Sequence, residues 1–316
     1  MLKILGYYLS GNRSSRESFY LSYRQLYQVI PTWLELKGDG SLHVKDFKDD
    51  LEILSKYKTR ESIVPMVQNF NLDSKVSNQL INNNDYRKKA IDNLLIFMGK
   101  HGLRKINVDL EGVKVSYKKN LTLFIKELSS VLKEKGYHLT ISIPARTENT
   151  KDYSWSGAYD YGKLGLFVDG VIIMAYDYHW SGGPPGPVSP LPWVRDVLDY
   201  AIIEIPATKI FLGLPFYGYD WELNQDKPAR GLSHHQIFYL IKEYDSQVEW
   251  DQEFNSPYFR YKQDGKWHEV WFENKTSLAK KIKLAEDFQI NGVAFWRLGL
   301  EDKNFWKLLS GGKVRG

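Results

Sequence analysis

The stretch "INVDLEGV", residues 106–113, carries Asn107, Asp109 and Glu111 at alternate positions of an otherwise aliphatic run. On a β-strand alternate side chains share a face, so these three point one way while Ile106, Val108 and Leu110 point the other. If the aliphatic face packs on helices, the polar row lies in a cleft or barrel mouth. Two neighbouring carboxylates repel, which raises the proton affinity of at least one. A carboxylic acid kept protonated near neutral pH can serve as a general acid. Alone, an Asp-x-Glu pair more often marks a solvated edge or an ion-pair partner, so its meaning depends on the elements around it.

Short apolar runs recur along the chain: "KILGYYL", "YQVIPTWLEL", "SIVPMVQNF", "KINVDLEGV", "HLTISIPA", "GVIIMAYDYH", "KIFLGLPFYGY" and "GVAFWRLG". Each reads as a strand, and their number is that of a (β/α)8 barrel. Segments 85–101, 117–135 and 277–289 show apolar residues near helical spacing. Strand and helix in alternation predict a parallel sheet, hence the α/β class and a TIM barrel. A doubly wound open sheet is the structural rival, but no Gly-rich phosphate loop follows the first strand. The spacing breaks down between Tyr219 and Phe272, where "VEWDQEFNSPYFRYKQDGKWHEVWF" predicts antiparallel strands joined by a turn at Asp264 and Gly265. The expected organisation is a single barrel over 1–316 with a small α+β insertion after strand seven, at 222–273.

Composition narrows the function classes. The 316 residues are 43% hydrophobic and 26% charged, with no low-complexity run, as in a folded globular chain. The formal charge of +5 is spread along the sequence, and no nucleic-acid motif accompanies it, so no nucleic-acid partner is expected. The absence of cysteine rules out disulfides, thiolate metal sites and a Cys nucleophile. No apolar stretch approaches the roughly 20 residues of a membrane span. The N-terminal "MLKILGYYLSG" has too short an apolar segment for a signal peptide and reads as the first strand. The 10 Trp and 21 Tyr offer platforms for ligands with apolar faces and polar rims, such as sugars.

With a barrel in place, Asp109 and Glu111 fall at the C-terminal end of the fourth strand, the face where barrel active sites form. Three segments then resemble one family. "INVDLEGV" is similar to the Asp-x-x-Asp-x-Asp-x-Glu signature of family 18 glycoside hydrolases, the chitinase family; "MAYDYHW", 174–180, resembles its sixth-strand Met-x-Tyr-Asp motif; and "GVAFWRLG", 292–299, resembles its eighth strand. Within the family, "PTWLELKGDGSL", "GAYDYGKLG", "LPFYGYDW" and "HEVWFENKTSLAKK" are most similar to catalytic modules of spore cortex-lytic N-acetylglucosaminidases. Two positions depart from the signature, Arg104 and Asn107 standing where acids are usual.

The resemblance implies retaining, substrate-assisted hydrolysis of β-1,4-linked N-acetylglucosamine, in which the sugar's own acetamido oxygen attacks C1. Glu111 would be the acid and base, Asp109 would orient the acetamido group, Tyr176 would donate to its oxygen, and Asp177 would support the distorted ring. Trp296 would floor the sugar, with Asn107, Met174, Tyr217, Trp33 and Trp180 as further binding residues. Trp155 and Trp221 are weaker candidates of the same kind. The implied partner is an N-acetylglucosamine-containing polysaccharide, cortex peptidoglycan ahead of chitin, met at the spore or cell wall; no cofactor or metal is implied. A glycan-binding protein on the same fold is the alternative of another class, but lectin-like relatives usually lose the Glu at position 111.

Overall fold

A computed structural model describes residues 2–148, 155–225 and 227–310. Among them fifteen strands form two sheets. The strands are β1 (Lys3–Tyr8), β2 (Gln28–Pro31), β3 (Leu34–Leu36), β4 (Leu42–Val44), β5 (Met66–Asn69), β6 (Lys105–Asp109), β7 (His138–Pro144), β8 (Gly170–Met174), β9 (Ile210–Pro215), β10 (Tyr217–Glu222), β11 (Arg230–Ser233), β12 (Glu249–Asp251), β13 (Ser256–Gln263), β14 (Lys266–Phe272) and β15 (Gly292–Trp296).

The first sheet closes on itself. Its strands run parallel in the order β2-β1-β15-β9-β8-β7-β6-β5-β3, with β4 as an antiparallel hairpin partner of β3. The single apolar run 27–36 supplies both ends of that order, since β2 pairs with β1 and β3 pairs with β5. A parallel bridge between Val29 and Ile63 completes the ring. The barrel is therefore eight staves, counting β2 and β3 as one, and β6 stands diametrically opposite β15.

Alternation along the staves sorts the side chains. Ile106 and Val108 join the large cluster between strands and helices, while Leu5, Tyr7, Ile30, Met66, Ile172, Phe211 and Ala294 fill the barrel interior. Each aliphatic or aromatic side chain so buried contributes about 1.5–3 kcal/mol. The helix Asn84–His101 starts where Asn83 accepts the backbone N–H groups of Asp85 and Tyr86, and it packs on the next, Lys118–Glu134.

After β9 the chain leaves the barrel for the five-stranded antiparallel sheet, ordered β11-β10-β14-β13-β12, with the helix His234–Glu243 on it. Asp264 and Gly265 both have positive φ, 50° and 80°, the two-residue turn that matches strand twist between β13 and β14. Return to the barrel is fixed by a buried ion pair: Lys281 Nζ lies 2.7 and 2.9 Å from the Glu273 carboxylate, which also accepts from Ser277.

Candidate active site

A cleft of about 690 Å³ opens at the C-terminal end of the barrel, between the ring and the inserted sheet. Asp109 is the last residue of β6 and Glu111 follows two residues later, both lining the cleft. The turn that carries Glu111 is tied down on several sides. Its backbone N–H donates to Asn69 Oδ1 at 2.9 Å and its carbonyl accepts from Ser77 at 2.8 Å. Tyr159 donates to the Leu110 carbonyl at 2.6 Å. Gly112, at φ +66°, turns the chain where a side chain would strike Ser74.

The Asp109 and Glu111 carboxyls both hold their protons more tightly than free acids do. Burial first, and the charge of Asp177 second, push the Glu111 carboxyl above its ordinary range. Asp109 is pushed well above its range by burial and then by Glu111. Its Oδ1 is buried and has no hydrogen-bond partner among the described residues. An acceptor in that state is costly unless a proton or a ligand donor meets it.

Asp177 stands on the neighbouring wall, beyond β8. It holds a left-handed backbone, φ +60°, and its Oδ1 accepts from the Tyr217 hydroxyl at 2.5 Å and the Tyr219 hydroxyl at 3.0 Å. Strained backbone held by such contacts is a mark of functional sites. Burial raises the Asp177 carboxyl against the opposing pull of both tyrosines. Met174 and Tyr176 complete this wall, and burial keeps the Tyr176 hydroxyl protonated far above its ordinary value. Trp296 closes the end of β15, its ring 5.2 Å from that of Tyr7.

The structure thus brings together Asp109, Glu111, Met174, Tyr176, Asp177, Tyr217, Trp296 and Trp155 around one cleft. It does not bring four others. Asn107 points inward as expected but is 0% exposed, below the cleft, with both side-chain atoms engaged. It accepts from Ser142 at 3.0 Å and donates to Thr140 at 3.0 Å. Since the Ser142 proton goes to Asn107, the Tyr7 hydroxyl donates to Ser142 at 2.7 Å, and each polar side-chain atom of Asn107 has a partner within the barrel. Trp33 is also 0% exposed: the break between β2 and β3 turns it into the helix layer, 5.2 Å from Phe47. Trp180 is 58% exposed but stands outside the cleft lining. Trp221 is buried, its indole donating to the Gly183 carbonyl at 3.0 Å. Tyr7, Trp193, Tyr219 and Arg297 line the cleft without having been singled out. Tyr7 and Tyr219 carried a signal, since each shares the inward face of a strand with another interior or cleft residue.

Comparison with known proteins fits this geometry. A family model, glycosyl hydrolases family 18, matches residues 3–301. The chain belongs to that family. The cortical fragment-lytic enzyme of Bacillus subtilis (strain 168) is 31% identical over 260 residues, 81% of this chain and 60% of that relative. This chain therefore spans about 60% of that relative's length. The spore cortex-lytic enzyme SleL of Bacillus megaterium QM B1551 superposes with a TM-score of 0.89 at 27% identity, covering 98% of this chain and 73% of that one. A chitinase from Chromobacterium violaceum ATCC 12472 superposes with a TM-score of 0.90 at 29% identity over 100% of both chains. The family-18 departure at Arg104 lies away from the cleft, one residue before β6, where the side chain is exposed and pairs with Glu61 at 3.6 Å.

Proposed function

We propose that this family-18 chain hydrolyses β-1,4-linked N-acetylglucosamine polymers, with retention and with assistance from the substrate's acetamido group. The observation that carries the reading is the placement of Glu111, whose carboxyl burial pushes above its ordinary range, in one cleft with an Asp109 oxygen that has no partner among the described residues. Glu111 donates its proton to the leaving glycosidic oxygen and then, as carboxylate, takes one from water. Asp109 receives the acetamido N–H, so that the acetamido oxygen is turned toward C1; Tyr176 donates to that oxygen as charge develops. Asp177, steadied by Tyr217 and Tyr219, supports the strained ring, and Trp296 stacks beneath it. No metal or cofactor enters the scheme.

Cortex peptidoglycan is the substrate we favour, supported by the cortical fragment-lytic and spore cortex-lytic relatives. The full-length likeness to a chitinase favours chitin oligomers as a second reading. Mass spectrometry of soluble products after incubation with spore-cortex fragments and, separately, chitin oligomers tests both. Products ending in reducing N-acetylglucosamine from cortex, lost in Glu111→Gln, are expected. Glu111-dependent products from chitin alone would move the substrate to chitin, and none from either would sink the enzyme reading.

A further inference from the structure

The end of the barrel opposite the cleft carries an aromatic and basic surface. Tyr27 precedes β2, while Lys3 and Lys105 open β1 and β6, so all three stand at the N-terminal ends of the staves. The helices Arg13–Ser22 and Lys48–Tyr57 run back against the strands and bring Tyr20 and Tyr57 to the same end. Tyr20, Tyr27 and Tyr57 are 42%, 44% and 44% exposed. The ring of Tyr57 lies 5.6 Å from that of Tyr20 and 4.8 Å from that of half-buried Tyr23. Lys58, next to Tyr57 in the chain, donates to the Leu26 carbonyl beside Tyr27. The Lys3 and Lys105 ammonium groups lie 5.1 and 6.0 Å from the centre of the Tyr27 ring. One continuous run of contacts therefore links the tyrosines to three lysines.

Neighbouring cations are neutralised: Lys56 pairs with Glu52 at 3.0 Å and Arg104 with Glu61 at 3.6 Å. Lys3, Lys58 and Lys105 form no ion pair among the described residues. Burial pulls the Lys58 ammonium below its ordinary range, and no acid opposes that pull. The three lysines leave a local excess of positive charge that an anionic partner would offset. Single exposed tyrosines are ordinary, but a contiguous group of them marks a contact surface. A tyrosine ring presents a flat apolar face with a polar rim, the shape on which a pyranose stacks. A glycan bearing negative charge meets both demands. Peptidoglycan is such a glycan, since a free peptide branch ends in a carboxylate; chitin carries none. The six residues of β1 span about 17 Å, so a strand held at this end is not the strand in the cleft.

We propose that this surface is a second, non-catalytic site for a neighbouring peptidoglycan strand, with Tyr20 and Tyr57 stacking on its sugars and Lys3, Lys58 and Lys105 meeting the carboxylates of its peptide branches. It holds the protein on an insoluble mesh while the cleft works on another strand. The inference rests on the peptidoglycan reading, but its test reads adsorption and does not require turnover.

The probes are insoluble cortex peptidoglycan and the same material with its carboxyls converted to amides. Adsorption isotherms at low salt are recorded in a Glu111→Gln background, which keeps the polymer intact. Lys3→Gln combined with Lys105→Gln removes two exposed charge contacts and is expected to weaken adsorption to the native polymer about 3- to 30-fold. On the amidated polymer the same pair should lose less than about twofold. Tyr20→Ser removes a stacking ring and should lose about 2- to 10-fold on both polymers. Lys262→Gln combined with Lys280→Gln removes the same charge from exposed positions elsewhere and should lose less than about twofold. Parent-level adsorption by the Lys3 and Lys105 pair or by Tyr20→Ser would overturn the proposal, as would an equal loss in the Lys262 and Lys280 pair. So would a lysine effect that survives amidation. Adsorption to vesicles of phosphatidylglycerol and phosphatidylcholine in place of peptidoglycan would assign the surface to lipid and overturn it too. Carboxylate-dependent adsorption without any cleavage by the Glu111 chain would sink the hydrolase reading and leave this one standing.

Discussion

The position of Glu111 depends on Gly112, and replacing that glycine perturbs the acid without touching it. A Cβ on Gly112 would lie 2.6 Å from Ser74 Cβ and 3.2 Å from Ser74 Cα. Carbon atoms in contact need about 3.5–4.0 Å, so either the Glu111 turn or the start of the helix Ser74–Asn82 must yield by about 1 Å. The left-handed backbone adds a cost of about 1–2 kcal/mol for a residue with a Cβ. A displacement of about 1 Å in a catalytic group costs about 100-fold in rate. Gly112→Ala is therefore expected to lower kcat/KM about 100-fold and stability by about 2–4 kcal/mol. Reducing-end release from the glycan that the wild type cleaves, at a temperature where circular dichroism shows the variant folded, gives the rate. Adding Ser74→Gly removes the nearest clash and should restore much of the rate while leaving the backbone cost in the melting curve. A folded Gly112→Ala with wild-type kcat/KM, or no recovery in the double variant, would refute the claim that this turn sets Glu111.

Other consequences are as direct. Because the folded-state pKa of Glu111 is raised, its ionised form is disfavoured by the fold. That cost is absent below the ordinary carboxyl range and grows as pH rises through the folded value. Glu111→Gln should then melt higher than wild type at pH 8 and equally at pH 4; a higher wild-type melting point at pH 8 would reverse the sign. Lys281→Met leaves the buried Glu273 charge without its cation and should cost about 3–5 kcal/mol by chemical denaturation, much of it regained in Lys281→Met with Glu273→Leu. Trp33→Ala should cost about 3–5 kcal/mol as a core deletion. Trp155→Ala, half-exposed on the cleft, should instead raise KM with stability within about 0.5 kcal/mol; an unchanged KM would remove Trp155 from the glycan path.

The staves and the carboxyl row were legible because strand alternation is a local property. Ile106 and Val108 against Asn107 and Asp109 declare their faces whatever surrounds them. The Asp264–Gly265 turn is likewise written in two residues. Depth was not legible. Asn107 and Asp109 share a face, yet one lies in a closed network and the other at the cleft, and only the height of β6 in the barrel separates them. The tryptophans failed for a related reason: an indole packed on Phe47 and one facing a sugar cleft have the same local sequence signature. Which Trp is which follows from where the run 27–36 breaks into β2 and β3, a consequence of ring closure. Arg297 reaches the cleft from across the ring from β6, a relation between residues nearly two hundred positions apart in sequence.

Whether Glu111 acts with the substrate's own acetamido group is tested most directly by the configuration of the first product. Proton NMR of the newly released reducing end, recorded before mutarotation on the glycan that the wild type cleaves, should show the β-anomer first, and no product with Glu111→Gln. An α-anomer appearing first would mean inversion by direct attack of water, and would contradict the assignment of Asp109 and Tyr176 to the acetamido group.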